Sequence, residues 1–110
     1  MSFYHQYNNQ EIKAYLAELW HKEYPKQKGF IDFILSFDWE VCKAELSKLQ
    51  CGKPHKSEKV KKYANLLSKG TQLPPLVVIN GEVIDGYHRY HALKAIDFTH
   101  YDIFKIKTTL

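Results

Sequence analysis

The segment Leu76-Val77-Val78-Ile79-Asn80-Gly81-Glu82-Val83-Ile84 leaves this chain few choices. An apolar, β-branched run is followed by Asn-Gly, the dipeptide that most readily takes up both positive φ values of a type I′ turn, and then by a second run. The pattern predicts a tight β-hairpin. Asp85-Gly86 then supplies a helix start, and Tyr87 to Ile96 reads as a helix that turns Ala92, Leu93 and Ile96 toward a core.

The junction between hairpin and helix carries chemistry. The first amides of a helix have no internal partners and hold the positive end of its dipole, so they attract anions. Gly86, His88 and Arg89 fall in this first turn. Gly86 has no Cβ to keep an anion off the backbone, and His88 and Arg89 add side-chain donors. The chain contains fifteen lysines and a single arginine, Arg89. A planar guanidinium grips a phosphate or carboxylate through two parallel hydrogen bonds, which an ammonium cannot do. The plainer alternative is that Arg89 is one more surface cation.

Acid–base candidates lie close by. Asp85 has two readings: a side chain that caps the helix, or a carboxylate that holds Mg²⁺ or orients an attacking hydroxyl in phosphoryl transfer. His88 is the second catalytic candidate. Glu82, just after the turn, reads as solvent-facing. His91 follows His88 by three residues and shares its helix face, but the spacing reveals no further ligands, so no metal site is assigned.

Asp85-Gly86-Tyr87-His88-Arg89 resembles the Asp-Gly-x-His-Arg motif of the ParB/sulfiredoxin-like superfamily. Lys59-Val60 opening a helix, and Gly70-Thr71-Gln72-Leu73-Pro74-Pro75-Leu76-Val77-Val78, are similar to the family's succession of helix, short loop, Pro-Pro and strand. Ala92 to Phe98 and Tyr101-Asp102-Ile103-Phe104 resemble its closing helix, turn and last strand. The likeness spans roughly residues 39 to 106. It implies a single small α/β (α+β) domain over residues 39–110, with a mixed sheet whose hairpin leads into a phosphate-binding helix. Residues 1–38 form a helical extension within the same compact unit. It further implies a site for ATP or CTP, with Lys59, Gly86, His88 and Arg89 as phosphate contacts. Sulfiredoxins place a catalytic cysteine between the glycine and the histidine, where this chain has Tyr87, so reductase chemistry is not expected. ParB partition proteins usually carry Gly-Glu-Arg-Arg there and add a helix-turn-helix and a dimerisation domain, which 110 residues do not accommodate.

Length and an ordinary balance of apolar (45%) and charged (25%) residues fit one globular core. No stretch has the length of an apolar membrane span, and Met1-Ser2-Phe3-Tyr4-His5-Gln6 lacks the regions of a signal peptide. The expectation is a cytoplasmic protein without membrane contact. Cys42 and Cys51 are expected as free thiols with no role.

Asn8 and Glu11 resemble a capping pair, and Ile12, Tyr15, Leu16, Leu19 and Trp20 form one helical face up to Pro25. That stripe packs on the chain's own sheet or serves a homodimer or protein partner; the first reading is preferred. Phe30, Phe33, Ile34 and Phe37 suggest a second short helix after Gly29, and Trp39 to Leu46 is read as a strand on the strength of the resemblance. Ser57 is expected to cap a helix whose buried side is Val60, Tyr63, Ala64 and Leu67.

Around that helix Lys53, His55, Lys56, Lys59, Lys61, Lys62 and Lys69 make the most basic stretch of a chain with net charge +4. It is either a solvated face, part of a nucleotide site, or a patch that attracts DNA nonspecifically. Three function classes follow. The leading one is a nucleotide-binding domain that uses ATP or CTP, with or without Mg²⁺, for phosphoryl transfer or hydrolysis. The others are a DNA-associated ParB-like protein or nuclease, and an interaction module or phage-type inhibitor that retains a vestigial nucleotide site.

Overall fold

The computed structural model describes residues 4–53 and 56–107. His55 of the basic stretch and the first three residues of the N-terminal reading lie outside them. Along the chain run α1 (Asn9–Glu23), α2 (Lys28–Leu35), β1 (Trp39–Glu45), α3 (Ser57–Ser68), β2 (Leu76–Ile79), β3 (Glu82–Asp85), α4 (Tyr87–Ala95) and β4 (His100–Ile106). The strands form one mixed sheet in the order β1-β4-β2-β3. β1 is antiparallel to β4, β4 parallel to β2, and β2 antiparallel to β3. No described helix is long and apolar enough to cross a membrane.

The hairpin forms as its turn dictates, with Asn80 at φ 52° and Gly81 at φ 81°. Alternation along the strands then feeds two cores, because successive side chains point to opposite faces of a sheet. Leu76, Val78, Val83 and Ile103 join Leu67, Leu93 and Tyr90 under α3 and α4. Val77, Trp39 and Phe104 join Ile12, Leu16, Trp20, Ile31 and Ile34 under α1 and α2. Central strands covered on both faces are read as near-continuous apolar runs, and Leu76-Val77-Val78 is such a run.

The apolar stripe of α1 therefore finds its partner in the sheet. Asn8 caps the helix and exchanges hydrogen bonds with Glu11 in both directions at 2.9 Å. Asn9 Oδ1 accepts from the Trp39 amide at 2.7 Å and ties the start of α1 to β1.

Two terminal assignments are corrected. Ser57 is the first residue of α3, with Lys56 in extended geometry at the cap and no side-chain cap bond, so the hydroxyl is already inside the helix. Gly29 lies within α2, not before it. On α2, Ile31 and Ile34 take the buried face, which leaves Phe30, Phe33 and Phe37 between 42% and 63% exposed on the other sides.

Leu16 and Leu93 are fully buried in the two different cores. Truncating a buried leucine costs about 2–5 kcal/mol, so Leu16→Ala and Leu93→Ala should lower stability to a similar degree in urea unfolding. A nearly neutral Leu16→Ala would mean that the N-terminal helices do not share the cooperative unit of the sheet.

Candidate functional site

β3 carries a bulge. Val77 is paired with Asp85 while the next residue, Val78, is paired with Val83, so Ile84 is the extra residue. Val83 shares the α3/α4 face with Val78; the one-residue shift turns Asp85 toward the opposite face, that of Val77 and α1. There the indole Nε1 of buried Trp20 donates to Asp85 Oδ2 at 3.5 Å. Asp85 is thus the last residue of β3 and not the cap of α4, because the bulge aims its side chain at another helix.

The residue at the head of α4 is Gly86, in the left-handed region at φ 97° with no side-chain cap bond. A Cβ placed there would lie 2.7 Å from Arg89 Nη2, 3.1 Å from Arg89 Nε and 2.9 Å from a methyl carbon of Leu76. The expectation that Gly86 clears space for an anion is corrected in one respect: the group that uses this space is the guanidinium three residues on. Both the positive φ and the close approach call for glycine.

Arg89 Nη2 donates to the Pro75 carbonyl at 3.2 Å, and its buried Nε has no hydrogen-bond partner. The loop before Pro75 is held by Tyr101. Tyr101, with its hydroxyl, donates to Leu73 O at 2.6 Å and accepts from Leu73 N at 3.0 Å, which holds the Pro-Pro entry to β2 in place. Neither Arg89 nor Lys59 takes part in the ion pairs formed among the described residues. Among the described residues no carboxylate pairs with the guanidinium.

Around this group lies a cleft of about 460 Å³. Its lining includes Asp85, Gly86, His88, Arg89 and, from α3, Lys59, so the structure brings all five predicted site residues to one place. His88 Nε2 accepts from the Lys56 amide at 3.2 Å, which puts the ring proton on Nδ1 and tethers the start of α3 to α4. His91 is used differently: its Nε2 meets the Gly52 carbonyl at 2.8 Å. Among the described residues no three His, Cys, Asp or Glu side chains are grouped to hold a metal ion. Glu82 is exposed, as read.

The sequence reading missed the opposite wall. Tyr15, Leu19, Glu23 and Tyr24 line the same cleft. Tyr15, Leu19 and Glu23 repeat every four residues and run alongside the buried Ile12, Leu16 and Trp20, so the helical period contained the signal, but not what the second row faces. Burial pushes the Tyr15 phenol up, against the pull of the nearby Arg89 charge. Tyr24 is also raised, first by burial and then by Asp85 and Glu23.

No family model matches the sequence, and no curated protein matches it. The fold has relatives among solved structures. A Pnob8-like ParB-N domain in a C2221 crystal form aligns with TM-score 0.55 and 21% identity, covering 66% of this chain and 32% of that one. A pNOB8-like ParB N-domain aligns with TM-score 0.53 and 20% identity, over 66% and 29%. SbnI with a C-terminal truncation, from Staphylococcus aureus, aligns with TM-score 0.52 and 22% identity, over 61% and 30%. This chain therefore has the ParB N-domain fold, and the alignments span about a third of each relative's length.

Two outcomes follow from the geometry. Gly86→Ala should destabilise by about 1–3 kcal/mol or more through backbone strain and should also displace Arg89, visible as loss of the Arg89–Pro75 contact in a crystal structure. Burial pushes the Cys51 thiol from 9.0 up to about 11. The fold favours the protonated thiol, so that stabilisation is complete below pH 9.0 and fades as the pH rises toward 11. Alkylation at pH 8 should be about a hundredfold slower in the folded protein than in urea.

Proposed function

We propose that the cleft binds the phosphates of a nucleotide, ATP or CTP, and that phosphoryl transfer or hydrolysis is the chemistry it serves. One observation carries the reading: an arginine seated against a left-handed glycine at the head of a helix, lining a cleft, with a neutral carbonyl as its only hydrogen-bond partner among the described residues. A guanidinium in that position has donors to offer an oxyanion, and Lys59 adds a second positive charge across the cleft. The α4 amides supply the favourable end of a helix dipole.

Within this reading Arg89, Lys59 and His88 hold the phosphates, and Gly86 gives the guanidinium its seat. Asp85 is the acid–base candidate, steadied by Trp20. Asp85 and Glu23 are the carboxylates that the cleft provides, and they would hold a Mg²⁺ ion brought by the phosphates, for which one or two carboxylates suffice. The donor set fits such a guest. Such an ion would neutralise charge on the transferring group.

A second reading has its own observation. Lys59, Lys61 and Lys62 of α3 and the neighbouring Lys53, Lys56 and Lys69 are all exposed. A cationic surface of this kind attracts a phosphate backbone without regard to sequence, and such binding weakens steeply with salt.

Thermal denaturation with ATP or CTP, with and without Mg²⁺, separates the two. The nucleotide reading expects a melting temperature several degrees higher at ligand concentrations far above Kd. Arg89→Ala should abolish the shift, while Lys61→Ala should leave it intact. Equal losses from both substitutions would replace the site with diffuse charge attraction, and DNA retention that collapses between low and moderate salt would support the second reading.

A further inference from the structure

The eight tyrosines of this chain divide into two groups. Tyr4, Tyr7 and Tyr15 pack their rings on one another and on Phe104, at centroid distances of 5.3–6.4 Å. Tyr90 donates its hydroxyl to the Leu46 and Leu49 carbonyls, and Tyr101 holds Leu73. Each of these five has its ring or its hydroxyl engaged by another residue. The other three, Tyr24, Tyr63 and Tyr87, have no aromatic ring partner and no hydroxyl hydrogen bond among the described residues. All three line the cleft that contains Arg89.

They arrive there from three different elements. Tyr63 projects from α3, Tyr87 from the first turn of α4, and Tyr24 from the end of α1. Tyr24 is 49% exposed, yet its backbone is pinned: its amide donates to the Trp20 carbonyl at 2.7 Å, and its carbonyl accepts from the Gln27 amide at 3.0 Å. Trp20 itself is buried. A tyrosine on a fixed backbone has two side-chain torsions to immobilise, so it offers a large flat contact at small entropic cost.

A polyphosphate has no use for such rings, because every atom it presents is a hydrogen-bond acceptor or is shielded by one. A planar heteroaromatic does, because base–aromatic stacking is favourable for any base. The cleft is thus bipolar, with cations at Lys59 and Arg89 and, on its walls, the exposed ring of Tyr24 beside those of Tyr63 and Tyr87, which also pack in part on the α3/α4 core. Its volume lies within the range of ordinary small-molecule sites.

We propose that Tyr24, together with Tyr63 and Tyr87, is the platform for the base of the bound nucleotide, so that α1 completes the site and the ligand spans from Arg89 to the end of that helix. This rests on the phosphate reading of Arg89 and adds to it which end of the ligand the N-terminal helix holds. Glu23 and Asp85 line the same cleft as Tyr24, and after burial their charges raise its phenol.

Isothermal titration with ATP, CTP and inorganic tripolyphosphate, all with Mg²⁺, tests it on the full chain. The platform expects the better of the two nucleotides to bind at least about tenfold more tightly than tripolyphosphate. Tyr24→Ala should remove most of that advantage and leave tripolyphosphate affinity unchanged, and Tyr24→Phe should retain the advantage. Arg89→Ala should weaken all three ligands. Tripolyphosphate that binds as tightly as both nucleotides, or a Tyr24→Ala protein that keeps the full nucleotide advantage, overturns the platform while the phosphate site stands. Nucleotides that bind through Tyr24 but are indifferent to Arg89→Ala overturn the phosphate reading and keep the ring contact. Absence of binding by all three ligands overturns both.

Discussion

Gly86 is where the constraints on this molecule meet. Its φ of 97° turns the chain from β3 into α4 without a linker, and its missing Cβ leaves room for Arg89 and Leu76. Leu76 is fully buried at the centre of the sheet, so the same small residue joins the core to the cleft. A side chain there has to move either a guanidinium or a core leucine, and the backbone itself resists any L residue at that φ. The geometry of the site is in this sense a consequence of how the hairpin hands over to the helix.

A second consequence comes from the bulge one residue earlier. Without Ile84 as an extra residue, Val83 and Asp85 would share a face and the carboxylate would point into the α3/α4 core, where an unpaired charge is costly. With it, Asp85 crosses to the α1 side, meets Trp20 and lines the cleft. β-bulges next to functional sites re-aim side chains in this way. The N-terminal helices are therefore more than a cover for the sheet: Trp20 secures the far side of Asp85, and Tyr15 and Tyr24 form a wall of the cleft.

Much of this was legible from the residues. Asn80-Gly81 specified the turn, the capping pair Asn8 and Glu11 specified the start of α1, and the stripe Ile12, Leu16, Trp20 specified a buried face. Local rules have local signatures, which is why these readings hold. Gly86, His88 and Arg89 came from a short motif and Lys59 from the wider resemblance, and all four line one cleft. What the sequence did not disclose is set by long-range contacts. Asp85 followed by a helix looks like a cap, and only the β2–β3 register, with its one-residue slip, turns it elsewhere. Ser57 looks like a cap too, but the chain enters α3 one residue sooner. Phe30, Phe33, Ile34 and Phe37 signalled a short helix but not which of its sides is covered: Ile31 and Ile34 are buried and the three rings stay outside. Tyr24 gave no signal at all, because its role as a wall depends on where α1 ends relative to α3 and α4.

The energetics of Arg89 bear on why the chain holds one arginine in a background of lysines. Leaving a buried donor such as its Nε without a partner costs about 1–3 kcal/mol, and one bond to a neutral carbonyl does little to offset the desolvation of a full charge. Stability alone does not account for that arrangement, since long cationic side chains commonly carry their charged heads out to water. Structural demands are met by the Tyr101–Leu73 clasp and by the buried leucines, none of which needs a cation. On the proposed reading the deficit is repaid when an oxyanion arrives, since a guanidinium already oriented and partly desolvated binds it without further reorganisation. The unpaired nitrogen is then the mark of a site prepared in advance of its ligand, and the same preparation explains why glycine, and no other residue, precedes the helix.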